Sequence, residues 1–110
     1  MDTAATRKQL KIKAGSTKRL LKEHGMYREQ VEDNKRKLDK LVADGAEGWD
    51  VRSATRLWEE SQRMVVDTDN RLGKVVGELR EVVVQAKKAS ALAEDEELLK
   101  AEEVLEEASL

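Results

Sequence analysis

The chain reads as an all-α protein, an elongated antiparallel three-helix bundle with up-down-up order and coiled-coil-like seams. Three observations predict this. Proline is absent, charged residues make up 40% of the 110, and aromatic residues only 3%, with no phenylalanine. A round core of this size needs more aromatic volume, whereas a long amphipathic helix buries only a stripe. Apolar residues also recur at steps of three and four over most of the chain, the period of one helix face. The same regularity argues against disorder, which so charged a composition would otherwise suggest. The length fits one domain over residues 1–110, with helices at about 4–43, 50–87 and 92–108.

In the first helix the stripe is Leu10, Ala14, Thr17, Leu21, His24, Tyr27, Val31, Asn34, Leu38 and Leu41. The step from His24 to Tyr27 doubles a three, a phase shift at which Gly25 permits a bend. Asp44-Gly45 ends the helix, since glycine adopts the left-handed conformation of a C-cap without penalty. Residues 44–50, DGAEGWD, form the loop, with Asp50 as N-cap of the next helix. A connection this short joins antiparallel neighbours.

The second helix has the steadiest pattern: Val51, Ala54, Trp58, Ser61, Val65, Thr68, Leu72, Val75, Leu79, Val82 and Ala86. Leu57, Met64, Val76 and Val83 widen this stripe beyond a two-stranded seam, as contact with two partner helices requires. The third helix carries Leu98, Ala101, Val104, Leu105 and Ala108, with Ser90 as the candidate N-cap. Glu94, Asp95, Glu96 and Glu97 fall in its first turns, where the helix dipole favours negative charge. The first two helices extend roughly 55–60 Å at 1.5 Å per residue. The third covers part of that length, so some of the groove between them is left for a partner.

Charge is unevenly placed although the net is only −2. Residues 1–43 hold twelve Lys/Arg against six Asp/Glu, and residues 88–110 hold two against eight. The basic first helix and acidic last helix attract each other. Exposed ion pairs contribute only about 0–1 kcal/mol each, so their use is in setting neighbours and presenting a charged face.

No catalytic constellation is legible. The one histidine, His24, lies on the apolar stripe, and there is no cysteine. The usual zinc sets and disulfides are therefore ruled out. Residues 67–78, DTDNRLGKVVGE, place Asp67, Asp69 and Glu78 at calcium-loop spacing, but Arg71 and Leu72 stand at a ligand position and at the obligatory glycine. Gly73 and Gly77 permit close approach of another helix or of a partner. Lys11, Lys13, Lys18, Arg19 and Lys22 suit phosphate contacts, but Tyr27, Trp49 and Trp58 are the only aromatics for base stacking and the flanking segments are acidic. No nucleic acid is expected, and no cofactor. No apolar run has the length of a signal peptide or membrane span, so the expected setting is cytosolic.

The segment QLKIKAGSTKRLLKEHGMYREQ, residues 9–30, contains Lys11, Ile12, Lys13, Gly15, Lys18, Arg19, Leu20, Lys22, Glu23 and Tyr27. This pattern resembles the first helix of the tubulin-folding cofactor A family. A second likeness lies in Leu57, Glu60, Ser61, Met64, Val65 and Asp67, followed by Arg71 and Leu72. With length, segment order and the acidic last helix, the resemblance covers about residues 7–108. Ala14 stands where the family commonly has threonine, and Ser16-Thr17 where a Val-Val pair is common. Val66 stands where many members have proline. Proline kinks a helix, so the second helix is expected to be straighter here.

The resemblance implies a non-enzymatic, cytoplasmic and cytoskeleton-associated chaperone. It would capture and hold β-tubulin before heterodimer assembly and exchange it with other tubulin-folding cofactors, without nucleotide hydrolysis. The candidate contacts are Lys11, Lys13, Lys18, Arg19, Lys22 and Tyr27, with Arg63 on the second helix. Periodicity by itself leaves open a structural or adaptor bundle serving other proteins, and either a monomer or a homodimer.

Overall fold

The computed structural model describes residues 2–109. It contains α1 (Thr3–Ala43), α2 (Trp49–Lys88), a single 3-10 turn at Ser90–Leu92, and α3 (Glu96–Ala108). There is no strand among the described residues. Every residue of the three main predicted stripes is buried or half-buried, as are Met64, Val76 and Val83 of the residues widening the α2 stripe, but Leu57 is exposed. The helices pack as two units, one made of residues up to Leu21 and from Asn70 onward, the other of Lys22–Asp69.

The first unit holds the three-helix core. Leu10 and Ala14 of α1 meet Leu79, Val83 and Ala86 of α2, Leu92, and Leu98, Ala101 and Val104 of α3. Arg7 pairs with Asp95, Lys13 with Glu78 and Lys87 with Glu102, so α1 and α3 run alongside each other and α2 runs opposite to both. This is the up-down-up order. Buried Thr17 bonds the Lys13 carbonyl at 2.8 Å, as Thr6 bonds that of Asp2 at 2.9 Å. Each hydroxyl is thus satisfied within its own helix and adds no orphaned polar group to the core.

The second unit is a hairpin of the end of α1 and the start of α2. Only Leu38, Ser61 and Thr68 are buried in it. Its seam is partly polar. Asn34 Nδ2 donates to the Leu57 carbonyl at 3.2 Å and to Ser61 Oγ at 3.3 Å, and Ser61 Oγ donates to the Trp58 carbonyl at 2.7 Å. Lys35 lies 4.8 Å from the Trp58 ring centre, within cation–π reach. His24 sits half-buried, 3.7 Å from Asp69. α1 continues unbroken through Gly25, and α2 through Val66.

Cap chemistry departs from expectation at two places. α2 begins at Trp49, so Asp50 lies in its first turn instead of capping it. Gly48, at φ +66°, turns the chain earlier, and its carbonyl accepts from Arg52 N–H at 3.1 Å. α3 begins at Glu96 instead of near residue 92, and its cap is Asp95, not Ser90. The residues between form the 3-10 turn, which drives Leu92 fully into the core. Asp95 Oδ1 then accepts from Glu97 N–H at 2.9 Å, the side-chain bond of an N-cap.

The end of α1 matches its expected glycine cap. Gly45 N–H donates to Val42 O at 3.1 Å and Ala46 N–H to Leu41 O at 2.9 Å, the paired bonds of a Schellman motif. Gly45 has φ +80°, and a Cβ there would meet nothing within 4 Å. Gly45→Ala should therefore destabilise through conformation alone, by about 1–2 kcal/mol. Gly25→Ala, in helical backbone with the same open space, should stabilise by about 0.5–1 kcal/mol. Urea denaturation followed by circular dichroism reads both, and the two signs should be opposite.

Candidate partner-binding surface

The basic start of α1 presents two faces. Lys13 turns inward to α2, its ammonium 2.5 Å from Glu78. Lys8, Lys11 and Lys18 are exposed, and none lies within ion-pair distance of a carboxylate among the described residues. Their spacing of three and seven residues puts them along one face, with Gly15 between Lys11 and Lys18. That face borders a cleft of about 470 Å³ between α1 and α3, lined by Lys11, Lys18 and Lys100 against Glu97, Glu103 and Glu107. Arg19 is exposed and bonds Ser16 Oγ at 3.3 Å. Lys22, also exposed, follows one turn after Lys18 in the sequence.

The acidic α3 therefore neutralises less of α1 than its composition suggests. Its one ion pair to α1 among the described residues is Arg7 Nε to Asp95 Oδ2 at 2.7 Å. The hydrogen bond from the Arg7 guanidinium holds the Asp95 carboxyl below its ordinary value, against the opposing effect of burial. Lys13 does the same to Glu78, by hydrogen bond first and then by charge. Lys100 is raised through its bond to Glu96.

For the two carboxylates the folded form is the more acidic. Their contribution is complete above the unfolded values near pH ~4 and is lost as pH falls through the lowered folded values. The urea midpoint should fall between pH 5 and pH 3 in the native chain. Arg7→Gln should flatten that acid limb, whereas an unchanged limb would separate Asp95 from acid stability.

The remaining candidates lie in the second unit. Tyr27 is half-buried and lines a cleft of about 420 Å³ with Gln30, Asn34, Leu57, Glu60, Ser61 and Met64. Arg63 is exposed on α2. Sequence reasoning placed Leu57 in the buried stripe, but its side chain is 55% exposed. It also overlooked Lys8, which the same lysine spacing would have revealed, and the double role of Asp95. Gly73 and Gly77 are exposed, and a Cβ at either would meet nothing within 4 Å, so among the described residues no other helix approaches there.

No group of three or more potential metal-ligating His, Cys, Asp or Glu residues occurs among the described residues. Nor is any described helix long and apolar enough to cross a membrane.

Comparison with known proteins agrees with this architecture. The family model described as tubulin binding cofactor A matches residues 5–105. The human protein named tubulin-specific chaperone A is 32% identical over 103 residues, spanning 94% of this chain and 93% of its own. The solved structure of human tubulin chaperone cofactor A superposes with a TM-score of 0.81 at 30% identity, covering 96% of this chain and 99% of that one. The crystal structure of tubulin folding cofactor A from Arabidopsis thaliana gives 0.86 at 25% identity, covering 96% and 97%. A three-helix architecture, a near full-length match and the basic α1 pattern agree: the chain belongs to the tubulin binding cofactor A family.

Proposed function

We propose that the chain is a non-enzymatic chaperone of tubulin folding, acting as one cytoplasmic domain that captures β-tubulin and passes it to other tubulin-folding cofactors. The observation that carries this reading is the family match over residues 5–105. The exposed lysine face of α1 supports it. Lys11, Lys18 and Lys22, with Arg19, offer cations to an acidic client, and Tyr27 and Arg63 add contacts from the second unit. Lys13 contributes less, because its ammonium is held by Glu78. Charge complementarity of this kind speeds encounter and selects partners more than it adds affinity.

Affinity capture from cytosol tests the reading. The immobilised chain, shown folded by circular dichroism, should retain β-tubulin at low salt, and should lose it progressively as salt screens the lysines. A folded chain that retains no β-tubulin at low salt would overturn the proposal.

A further inference from the structure

In the first unit α3 lies on the α1–α2 pair and buries Leu98, Ala101 and Val104 against it. In the second unit the same two helices continue with the same apolar spacing, and no third helix covers them. Two clefts open on one side of this hairpin. The first, about 270 Å³, is lined by Asn34, Lys37, Leu41, Trp49, Ala54 and Leu57, among others; the second is the Tyr27 cleft already described. They share Asn34 and Leu57, so they form one continuous groove. Its most exposed apolar members are Leu57 and Trp49, the latter 69% exposed. With half-buried Tyr27, Leu41, Ala54 and Met64 lining the same clefts, they make an apolar patch of the kind that a partner covers.

From this we infer that the groove receives an amphipathic helix of the client, which completes a three-helix unit as α3 does in the first unit. The inference rests on the β-tubulin reading above. Three features select this occupant. From Tyr27 to Leu41, α1 rises about 21 Å at 1.5 Å per residue, the length of a helix of about 14 residues. α3, at 13 residues, is an internal example of the fit, presenting Leu98, Ala101, Val104 and Leu105 on one face. The groove also carries both signs of charge, with Lys37 against Asp50 and Glu60. That balance matches the mixed flanks of a folded helix and disfavours an acidic tail or a nucleic-acid backbone. Apolar anchors spaced over successive turns are the usual way a helix seats in a groove.

The test uses the full chain and purified β-tubulin. Leu57→Glu, at an exposed site, should keep the circular dichroism spectrum and weaken β-tubulin capture on the order of tenfold, the effect of losing a central anchor. Val66→Glu is the matched control. It is in the same unit, 61% exposed, and lines a different cleft with Arg28 and Val31. It should leave capture unchanged. A photo-cross-linker at position 57 should join β-tubulin at the apolar face of a helix.

If the native chain captures β-tubulin but Leu57→Glu captures it equally, the groove is not the docking site and the chaperone reading stands. Cross-linking of position 57 to a second copy of the chain would assign the groove to self-association instead. If the native chain captures no β-tubulin, both readings fail together.

Discussion

Leu79→Ala is expected to be among the most damaging truncations in the chain, costing about 2–5 kcal/mol. Leu79 is fully buried, and the core cluster to which it belongs draws on all three helices: Leu10 and Ala14, Val83 and Ala86, and Leu98, Ala101 and Val104. Truncation removes transfer free energy and leaves a cavity that helices held on several sides cannot fill by shifting. A domain of this size has roughly 5–15 kcal/mol in total, so the loss is a large fraction of it. The melting temperature should fall on the order of 10–20 °C. Leu57→Ala removes the same atoms from an exposed site and should change stability by about 0.5 kcal/mol or less. Urea titration by circular dichroism measures both. Equal costs would mean that the core is not concentrated where Leu79 lies.

The second large effect concerns the client. Replacing Lys11, Lys18 and Lys22 together by glutamate should abolish β-tubulin capture at physiological salt while leaving the fold intact. None of the three makes an ion pair among the described residues, and all are exposed, so their reversal breaks no salt bridge. The new repulsion at Lys11 and Lys18 from Glu97, Glu103 and Glu107 acts across a solvated cleft and should cost less stability than a direct pair. Reversal changes the sign of a face instead of merely weakening it, and like charges brought together at an interface cost several kcal/mol. Lys13→Glu provides the contrast. It would place two carboxylates together at Glu78 and destabilise the chain itself. Binding assays and thermal melts on the two variants should therefore separate, one losing the client and the other losing stability. If the triple variant captures β-tubulin as before, the contact surface lies elsewhere on the chain.

The helix faces were legible in the sequence because spacing reports which side of a helix is apolar. Leu10, Thr17 and Leu38 on α1, and Ser61, Thr68 and Leu79 on α2, all fall on the predicted stripes and are buried. Spacing does not report how many helices cover a stripe. Val83 and Leu57 both widened the α2 pattern, yet Val83 lies in the core beside α3 residues while Leu57, on the uncovered hairpin, is open to water. The start of α3 was obscured for a local reason. Ser90 and Asp95 are both capping residue types, and the choice fell to Asp95 because Arg7, 88 residues away in sequence, holds its second oxygen. Charge composition likewise named α3 as the neighbour of the α1 lysines. It did not reveal that Lys13 would reach Glu78 on α2, while Lys11 and Lys18 at the cleft make no ion pair among the described residues.

Native mass spectrometry of the purified chain mixed with β-tubulin, at low salt and without added nucleotide, tests the chaperone assignment most directly. A complex whose mass is that of β-tubulin plus the chain is expected, formed by the native protein and by Val66→Glu but not by the triple glutamate variant. A folded native chain that remains free at every concentration tried, or a triple variant that binds as well as the native chain, would contradict it.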